Sequence, residues 1–229
     1  MFPSYSYNMP KVYSASQINT FLSCGYKYKL QYIDKIKVDV VSPYLERGIR
    51  VHEKLESDTY TSDNAEDANL LSNAMSILLE LNDQHDIFSG HQNELKLFGD
   101  VAEKRFIGII DRVWPSQSVL LDWKTGSLKR NWKDGGYYGE LDYCIQSHIY
   151  KCLCDQNLAD PIHRCYFAFL GNQVLWTPVI GGFEFGSEGF ETTCNNAINL
   201  AIDGIKSQEF HKNKNVLCKW CDYKEMCDG

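Results

Sequence analysis

Asp122 and Lys124 stand two residues apart at the end of an apolar run, Val119-Leu120-Leu121-Asp122-Trp123-Lys124-Thr125-Gly126. In an extended strand, side chains at i and i+2 share a face, so this carboxylate and ammonium lie side by side. Alone, such a pair is a surface salt bridge worth less than about 1 kcal/mol. A second acid changes the chemistry. Upstream, KRFIGIIDRVW ends at Trp114, and Pro115 to Ser118 form a polar break before the apolar run resumes. If that break is a turn pairing Trp114 with Val119, Asp111 falls opposite Asp122, with β-carbons about 4.5 to 5.5 Å apart. Two carboxylates so placed repel unless a cation sits between them. Oxygen donors select a hard ion, magnesium or manganese, over zinc. Such an ion acidifies and orients a water and takes up charge on a phosphoryl oxygen. Lys124, on the same face, would hold or deprotonate that water or neutralise the pentacovalent transition state. His52 offers a nitrogen ligand, and Glu94 a further acid.

These groups need a frame, and the apolar periodicity supplies one. A helix opens at Ser14, with Gln17 placed for a capping box and Ile18, Phe21 and Leu22 on one face. A second covers about 44 to 58, where Leu45, Ile49, His52 and Leu55 recur at helical spacing, so His52 is expected to point inward. TYTSDNAEDA (59 to 68) reads as a polar loop, and 69 to 82 as an amphipathic helix with Leu70, Leu71, Ala74, Leu78 and Leu79 on its apolar side. The period then changes to that of strands: ELKLF, KRFIGIIDRVW and SVLLDW form an expected antiparallel meander. A Gly- and Lys-rich loop follows over 127 to 140. A helix over 141 to 156 carries Ile145, Ile149 and Leu153 on one stripe, CYFAFL and VLWTPVI read as strands around Gly171-Asn172, and a long helix spans about 187 to 208.

The chain of 229 residues is 44% hydrophobic, enough to bury a sizeable core, and carries a formal charge of −7. That charge argues against binding nucleic acid by overall attraction, so a polyanion would be met by bound cations and by local lysines such as Lys27, Lys129, Lys133, Lys212 and Lys219. No apolar run approaches the roughly 18 residues of a membrane span. The amino terminus has neither the basic nor the apolar part of a signal peptide, so the expected location is the cytoplasm, or the host cytoplasm for a viral chain. One unit is expected over 1–229: an N-terminal helical segment (1–43), a core (44–180), and a C-terminal helix with a cysteine-bearing tail (181–229).

RFIGIIDRV followed by VLLDWKTG resembles the core of the PD-(D/E)xK nucleases, in their RecB-like branch, whose pattern is Gly-x-Ile-Asp-Arg and then Asp-x-Lys-Thr-Gly. ERGIRVHEKLE is similar to that branch's Arg-Gly-x-x-x-His helix, and CIQSHIY to its Gln-x-x-x-Tyr motif. The resemblance covers about residues 14 to 227. It implies a restriction-endonuclease-like α/β fold, an αβββαβ core with a central mixed sheet flanked by helices. It also implies metal ligation by His52, Asp111, Asp122 and the backbone carbonyl of Trp123, Lys124 at the water, Glu94 as accessory acid, and Gln146 and Tyr150 contacting DNA or bracing the site. The implied activity is magnesium- or manganese-dependent hydrolysis of DNA, most simply by an exonuclease on single-stranded ends, in recombination, repair, phage biology or CRISPR adaptation. The alternative is a weakly active DNA-binding adaptor in an integrase or recombination complex. No Gly-x4-Gly-Lys-Ser/Thr motif occurs, which makes a free-standing nuclease the expectation. Members of the branch assemble into rings or with other subunits, so an oligomer fits the resemblance.

Nine cysteines without a secretory leader point to reduced thiols. Cys144, Cys152, Cys154, Cys165 and Cys194 lie in apolar or helical segments and read as small buried hydrophobes. The tail is different: Cys218-x2-Cys221-x5-Cys227 offers three thiolates, where a zinc site or an iron-sulfur cluster takes four. The stretch around Cys24, SASQINTFLSCGYKYKL, resembles the amino-terminal cysteine segment of the iron-sulfur RecB-like nucleases, the CRISPR-associated Cas-four exonucleases among them. The resemblance therefore implies a 4Fe-4S cluster on Cys24, Cys218, Cys221 and Cys227, clasping the two ends of the chain; zinc would serve the same purpose. The family's usual residue after the first cysteine is proline, and here it is Gly25.

Overall fold

The computed structural model describes residues 12–38, 42–87, 89–130 and 136–227. The leading tail, Trp132 and Lys133 lie outside them. The order is α1 (Ala15–Ser23), α2 (Gly25–Tyr28) running into a π-helical turn, α3 (Pro43–Glu56), α4 (Ala65–His85), β1 (Gln92–Val101), β2 (Lys104–Trp114), β3 (Val119–Lys124), α5 (Glu140–Asn157), β4 (Arg164–Phe169), β5 (Val174–Trp176), β6 (Val179–Ile180), β7 (Phe183–Glu184), α6 (Glu188–Lys206) and α7 (Lys224–Cys227). Five strands form one sheet in the order β1-β2-β3-β4-β5. The first three are the expected antiparallel meander, α5 crosses over so that β4 lies parallel to β3, and β5 returns antiparallel. This is the mixed sheet flanked by helices of the αβββαβ core.

Local chemistry explains the element ends. Ser14 accepts a hydrogen bond from the Gln17 amide and caps α1. Ser42 caps α3 with Pro43 at its first position, and Asn64 caps α4 through the amides of Glu66 and Asp67. Pro115 to Gln117 form one 3-10 turn, Ser118 takes a left-handed φ of 57°, and Trp114 then pairs with Val119 as the turn count requires.

Both faces of the sheet are covered. On one, α5 lays Ile145, Ile149 and Leu153 against Phe106, Ile110, Leu120 and Phe167, with Ile18 of α1 and Ile198 and Ile202 of α6 closing the layer. Leu153 and Tyr150 press so closely on the sheet that a β-carbon at Gly108 would fall 2.8 Å from Leu153. On the other face, Val51 and Leu55 of α3 and Leu71, Ile77 and Leu81 of α4 pack on Trp114, Leu121, Trp123 and Ala168. Hence β3 is buried almost throughout, as a central strand between two layers must be.

Three expectations change. The stripe of α3 that faces the core is Val51 and Leu55; Leu45 and Ile49 are about half exposed, because the helix meets the sheet only at its C-terminal half. His52 therefore stands at the layer's edge rather than within it. In α4, which starts at Ala65 inside the expected loop, Leu79 is exposed and Ile77 and Leu81 take the inner positions. VLWTPVI is two strands, since Pro178 cannot donate to a ladder; β6 leaves the main sheet and pairs with β7. Among the described residues no helix is long and apolar enough to cross a membrane.

Candidate active site

The meander carries the acids to one edge of its ladder. Pairs are formed at Asn93↔Arg112 and Leu95↔Ile110 but not between them, and the β2–β3 ladder stops at Arg112↔Leu121. The interruption falls on Glu94, Asp111 and Asp122. Glu94 has a φ of 48°, a left-handed conformation that costs a non-glycine residue of order 1 kcal/mol and persists only where its surroundings demand it. The turned backbone brings its carboxylate to Asp111. Ligand atoms of His52, Glu94 and Asp111 all lie within 4.8 Å of one another, the only such group of three His, Cys, Asp or Glu side chains among the described residues.

His52 Nδ1 is 3.7 Å from Asp111 Oδ2, and that oxygen accepts a hydrogen bond of 2.7 Å from the Trp123 amide. The Trp123 backbone also acts on His52, favouring its protonated form against the effect of burial. Across the pocket, Lys124 Nζ is 2.5 Å from Asp122 Oδ1. Gln146 Nε2 donates to the other oxygen of Asp122 at 2.7 Å and sits 3.0 Å from the Tyr150 hydroxyl, while its Oε1 accepts from Lys124 at 3.2 Å. These side chains line a cavity of about 400 Å3 whose walls include Ser127, Tyr143 and Phe169. Gln146 and Tyr150 come one turn apart on α5, the helix laid over this end of β3.

The electrostatics follow from burial and crowding. Desolvation and then the charge of Asp122 push the Asp111 carboxyl well above the usual range. Glu94 is raised for the same reason, with Glu56 and Asp122 adding to burial. Burial lowers the His52 imidazole, which favours its neutral form. For Lys124 burial acts downward, but the contact with Asp122 outweighs it and the ammonium stays above its ordinary value. Crowded carboxylates beside a neutral imidazole form a donor set that suits a hard divalent cation.

The residue missed in the sequence is Tyr143, while Arg112 stood there as the last residue of Gly-x-Ile-Asp-Arg with no role attached. The Tyr143 ring lies 5.6 Å from Lys124 Nζ, and it precedes Gln146 by one turn, so the stripe Tyr143, Gln146, Tyr150 was the available signal. Arg112 follows Asp111 directly and is buried at 1% exposure.

At the other end of the molecule Cys24, Cys218, Cys221 and Cys227 line one cavity of about 550 Å3. The two chain ends are already stitched around it: Tyr26 N donates to His211 O at 3.0 Å, Asn213 to Ser23 O at 3.0 Å, and the Tyr223 hydroxyl to Ile36 O at 3.0 Å. Gly25 explains itself here. A β-carbon on it would lie 3.0 Å from Glu209 O and 3.2 Å from His211 N, so the returning chain passes where a side chain would be. Of the remaining five cysteines four are buried and Cys152 is partly so, and burial pushes Cys152 up to about 11 and Cys154 and Cys194 up to about 12, as for inert thiols.

The family model of the PD-(D/E)XK nuclease superfamily matches residues 12–97 and 74–228. Among solved structures, a candidate exonuclease from Eubacterium rectale superposes with a TM-score of 0.62 at 16% identity, covering 97% of this chain and 93% of that one. The structure of SSO0001 aligns with a TM-score of 0.44 at 12% identity over 96% and 87% of the two chains. No curated protein matches by sequence.

Proposed function

This chain belongs to the PD-(D/E)XK nuclease superfamily, and from that membership we propose that it is a divalent-metal-dependent deoxyribonuclease acting on single-stranded DNA ends, its terminal segments clasped by a 4Fe-4S cluster. The observation that carries the reading is the meeting of His52, Glu94 and Asp111 ligand atoms within 4.8 Å, beside a buried Asp122 ion-paired to Lys124. His52, Glu94, Asp111, Asp122 and the Trp123 carbonyl would hold magnesium or manganese. When bound, such an ion supplies neutralisation of phosphoryl charge and a more acidic water.

The chain's own groups do the rest. A phosphodiester repels nucleophiles through its charge, and the attack adds more. Lys124, held cationic by Asp122, donates hydrogen bonds to the attacking water and to the charge that grows on the phosphorane. Its raised pKa favours this cationic role over that of a base. Gln146 fixes Asp122 and Lys124 together, and Tyr150 fixes Gln146. Water enters opposite the 3′ oxygen, which leaves. The cavity's modest volume and the aromatic rings of Tyr143 and Phe169 on its wall support a single strand with unstacked bases over a duplex.

For the clasp, a tetrahedral zinc with Zn–S bonds of about 2.3 Å needs sulfurs within about 4 Å of each other. The four cysteines line one cavity, and a 4Fe-4S cluster takes the same four thiolates, so metal content decides between the two. We read 1–229 as one nuclease unit made of an N-terminal segment (1–43), a core (44–180) and a C-terminal segment (181–229).

The test uses anaerobically purified protein with end-labelled linear and circular single-stranded DNA, in magnesium, manganese or chelator. The expected result is metal-dependent degradation of linear strands, abolished by Asp122→Ala and by Lys124→Ala. Activity unchanged in either variant overturns the reading. The cluster requires a brown protein with about four irons and four labile sulfides per chain; a colourless, zinc-loaded preparation overturns that part alone.

A further inference from the structure

Arg112 donates from all three of its nitrogens in a place where a charge is expensive. Its Nη2 donates to the Leu55 carbonyl at 2.8 Å and to Asp58 at 2.5 Å, its Nη1 to the Tyr60 hydroxyl at 2.8 Å, and its Nε to Asn93 Oδ1 at 2.7 Å. The indole rings of Trp114 and Trp123 lie 5.8 and 5.7 Å from the guanidinium carbon. Asn93 in turn donates to the Glu56 carbonyl at 2.7 Å, at the C-terminal end of α3.

Arg112 and three of its neighbours lie next to, or within one turn of, candidate metal ligands. Leu55 is three residues past His52 on α3, Asn93 precedes Glu94 on β1, Arg112 itself follows Asp111 on β2, and Trp123 on β3 is the residue whose amide donates to Asp111. One cation thus touches the four segments that converge on the pocket.

We propose that Arg112 is a positioning residue that sets the spacing of these four segments and so the affinity of the site for its divalent ion. The inference rests on the metal-dependent reading above. A well-packed apolar side chain would give the core as much stability as a buried guanidinium. What it would not give is direction: a planar fork with four acceptors fixes the helix end, the loop after it and β1 relative to β2. The left-handed Glu94 supports this. Strained backbone needs neighbours that over-determine it, and the Asn93 side chain, gripped between Arg112 and Glu56, is such a neighbour.

The experiment measures manganese binding to the holoprotein by the loss of the free Mn2+ paramagnetic resonance signal, cleavage rate against manganese concentration, and melting temperature, in Arg112→Lys and Asp58→Asn. Lysine keeps the charge and loses the fork. The expected result is manganese affinity reduced about 10- to 100-fold in Arg112→Lys, with the rate at saturating manganese largely recovered. Asp58→Asn, at a half-exposed loop position that tolerates change, should show a smaller loss in the same direction, and it decides the matter should the lysine variant not fold. Affinity within about twofold of wild type in the folded variant, with only the melting temperature lowered, overturns the inference. A wild-type protein that binds no manganese, or whose binding survives Asp111→Asn, defeats the metal reading itself.

Discussion

Gln146→Met removes a side chain that the structure uses as a joint. Methionine matches glutamine in length and volume but offers no amide, so the substitution deletes polar contacts while leaving α5 packed. Lost are the donation to Asp122 at 2.7 Å, the acceptance from Lys124 at 3.2 Å and the contact with Tyr150 at 3.0 Å. Asp122 is 2% exposed, so no bulk solvent replaces the lost donor. A hydrogen bond to a buried charged group contributes about 1.5–3 kcal/mol. If that energy holds Asp122 and Lys124 in their reactive placement, it converts to a 10- to 150-fold loss, roughly, in kcat. The alternative, that Gln146 contacts the DNA, places the loss in KM. The assay is steady-state digestion of a short labelled single strand at saturating manganese, with KM and kcat separated. The expected outcome is a kcat reduced in that range and a KM within about twofold. A raised KM with unchanged kcat refutes the bracing role and makes Gln146 a substrate contact.

Three further outcomes follow from the geometry. Gly25→Ala inserts a methyl group against the backbone of residues 209–211 and should lower stability by about 1–3 kcal/mol in chemical denaturation, with poorer retention of the cluster; a neutral effect would mean that the returning chain yields freely. Burial pushes the Asp142 carboxyl up to about 6, and a carboxyl raised on folding gives stability that is full below its unfolded value near 4 and lost as the pH rises through the folded one. Asp142→Asn should therefore raise stability by about 1 kcal/mol at pH 8, the shift being discounted for the partial exposure of the group, and leave it unchanged at pH 4; equal effects at both pH values would show that the charge is not involved. Cys24→Ala opens a loop of roughly 190 residues, whose closure is worth up to about 5 kcal/mol in the chain-entropy limit, so iron content and melting temperature should fall together, and a variant that keeps its iron would remove Cys24 from the ligand set.

What the sequence made legible is what local chemistry decides. The turn at Pro115 and the alternation through VLLDWK were enough to place Trp114 against Val119, and the stripe Ile145, Ile149, Leu153 was enough to lay α5 on the sheet. Where an element's partner is set by distant packing, the reading slipped. Leu45 and Ile49 repeat as regularly as any buried stripe, yet the sheet ends before it reaches them. Glu94 is visible as an acid on a strand, but nothing in ELKLF announces a left-handed residue, because such a conformation depends on how its neighbours pack in the assembled sheet. Arg112 was visible as the end of the Gly-x-Ile-Asp-Arg pattern but its place was not: only the assembled layers bring its guanidinium carbon 5.8 and 5.7 Å from two indoles.

The clasp also has a consequence in time. Cys24 leaves the ribosome roughly 190 residues before Cys218, which at 5–20 residues per second is about 10–40 s. For much of that interval α1 lacks α5, complete only at Asn157, and for longer α6, complete only at Lys206, against which it packs, and to its end the thiol waits without the three others that share its cavity. The amino-terminal helix is thus made first and clasped last, and a nascent chain interrupted between α5 and Cys218 would carry a complete set of candidate catalytic residues on a body whose opening segment is not yet fastened.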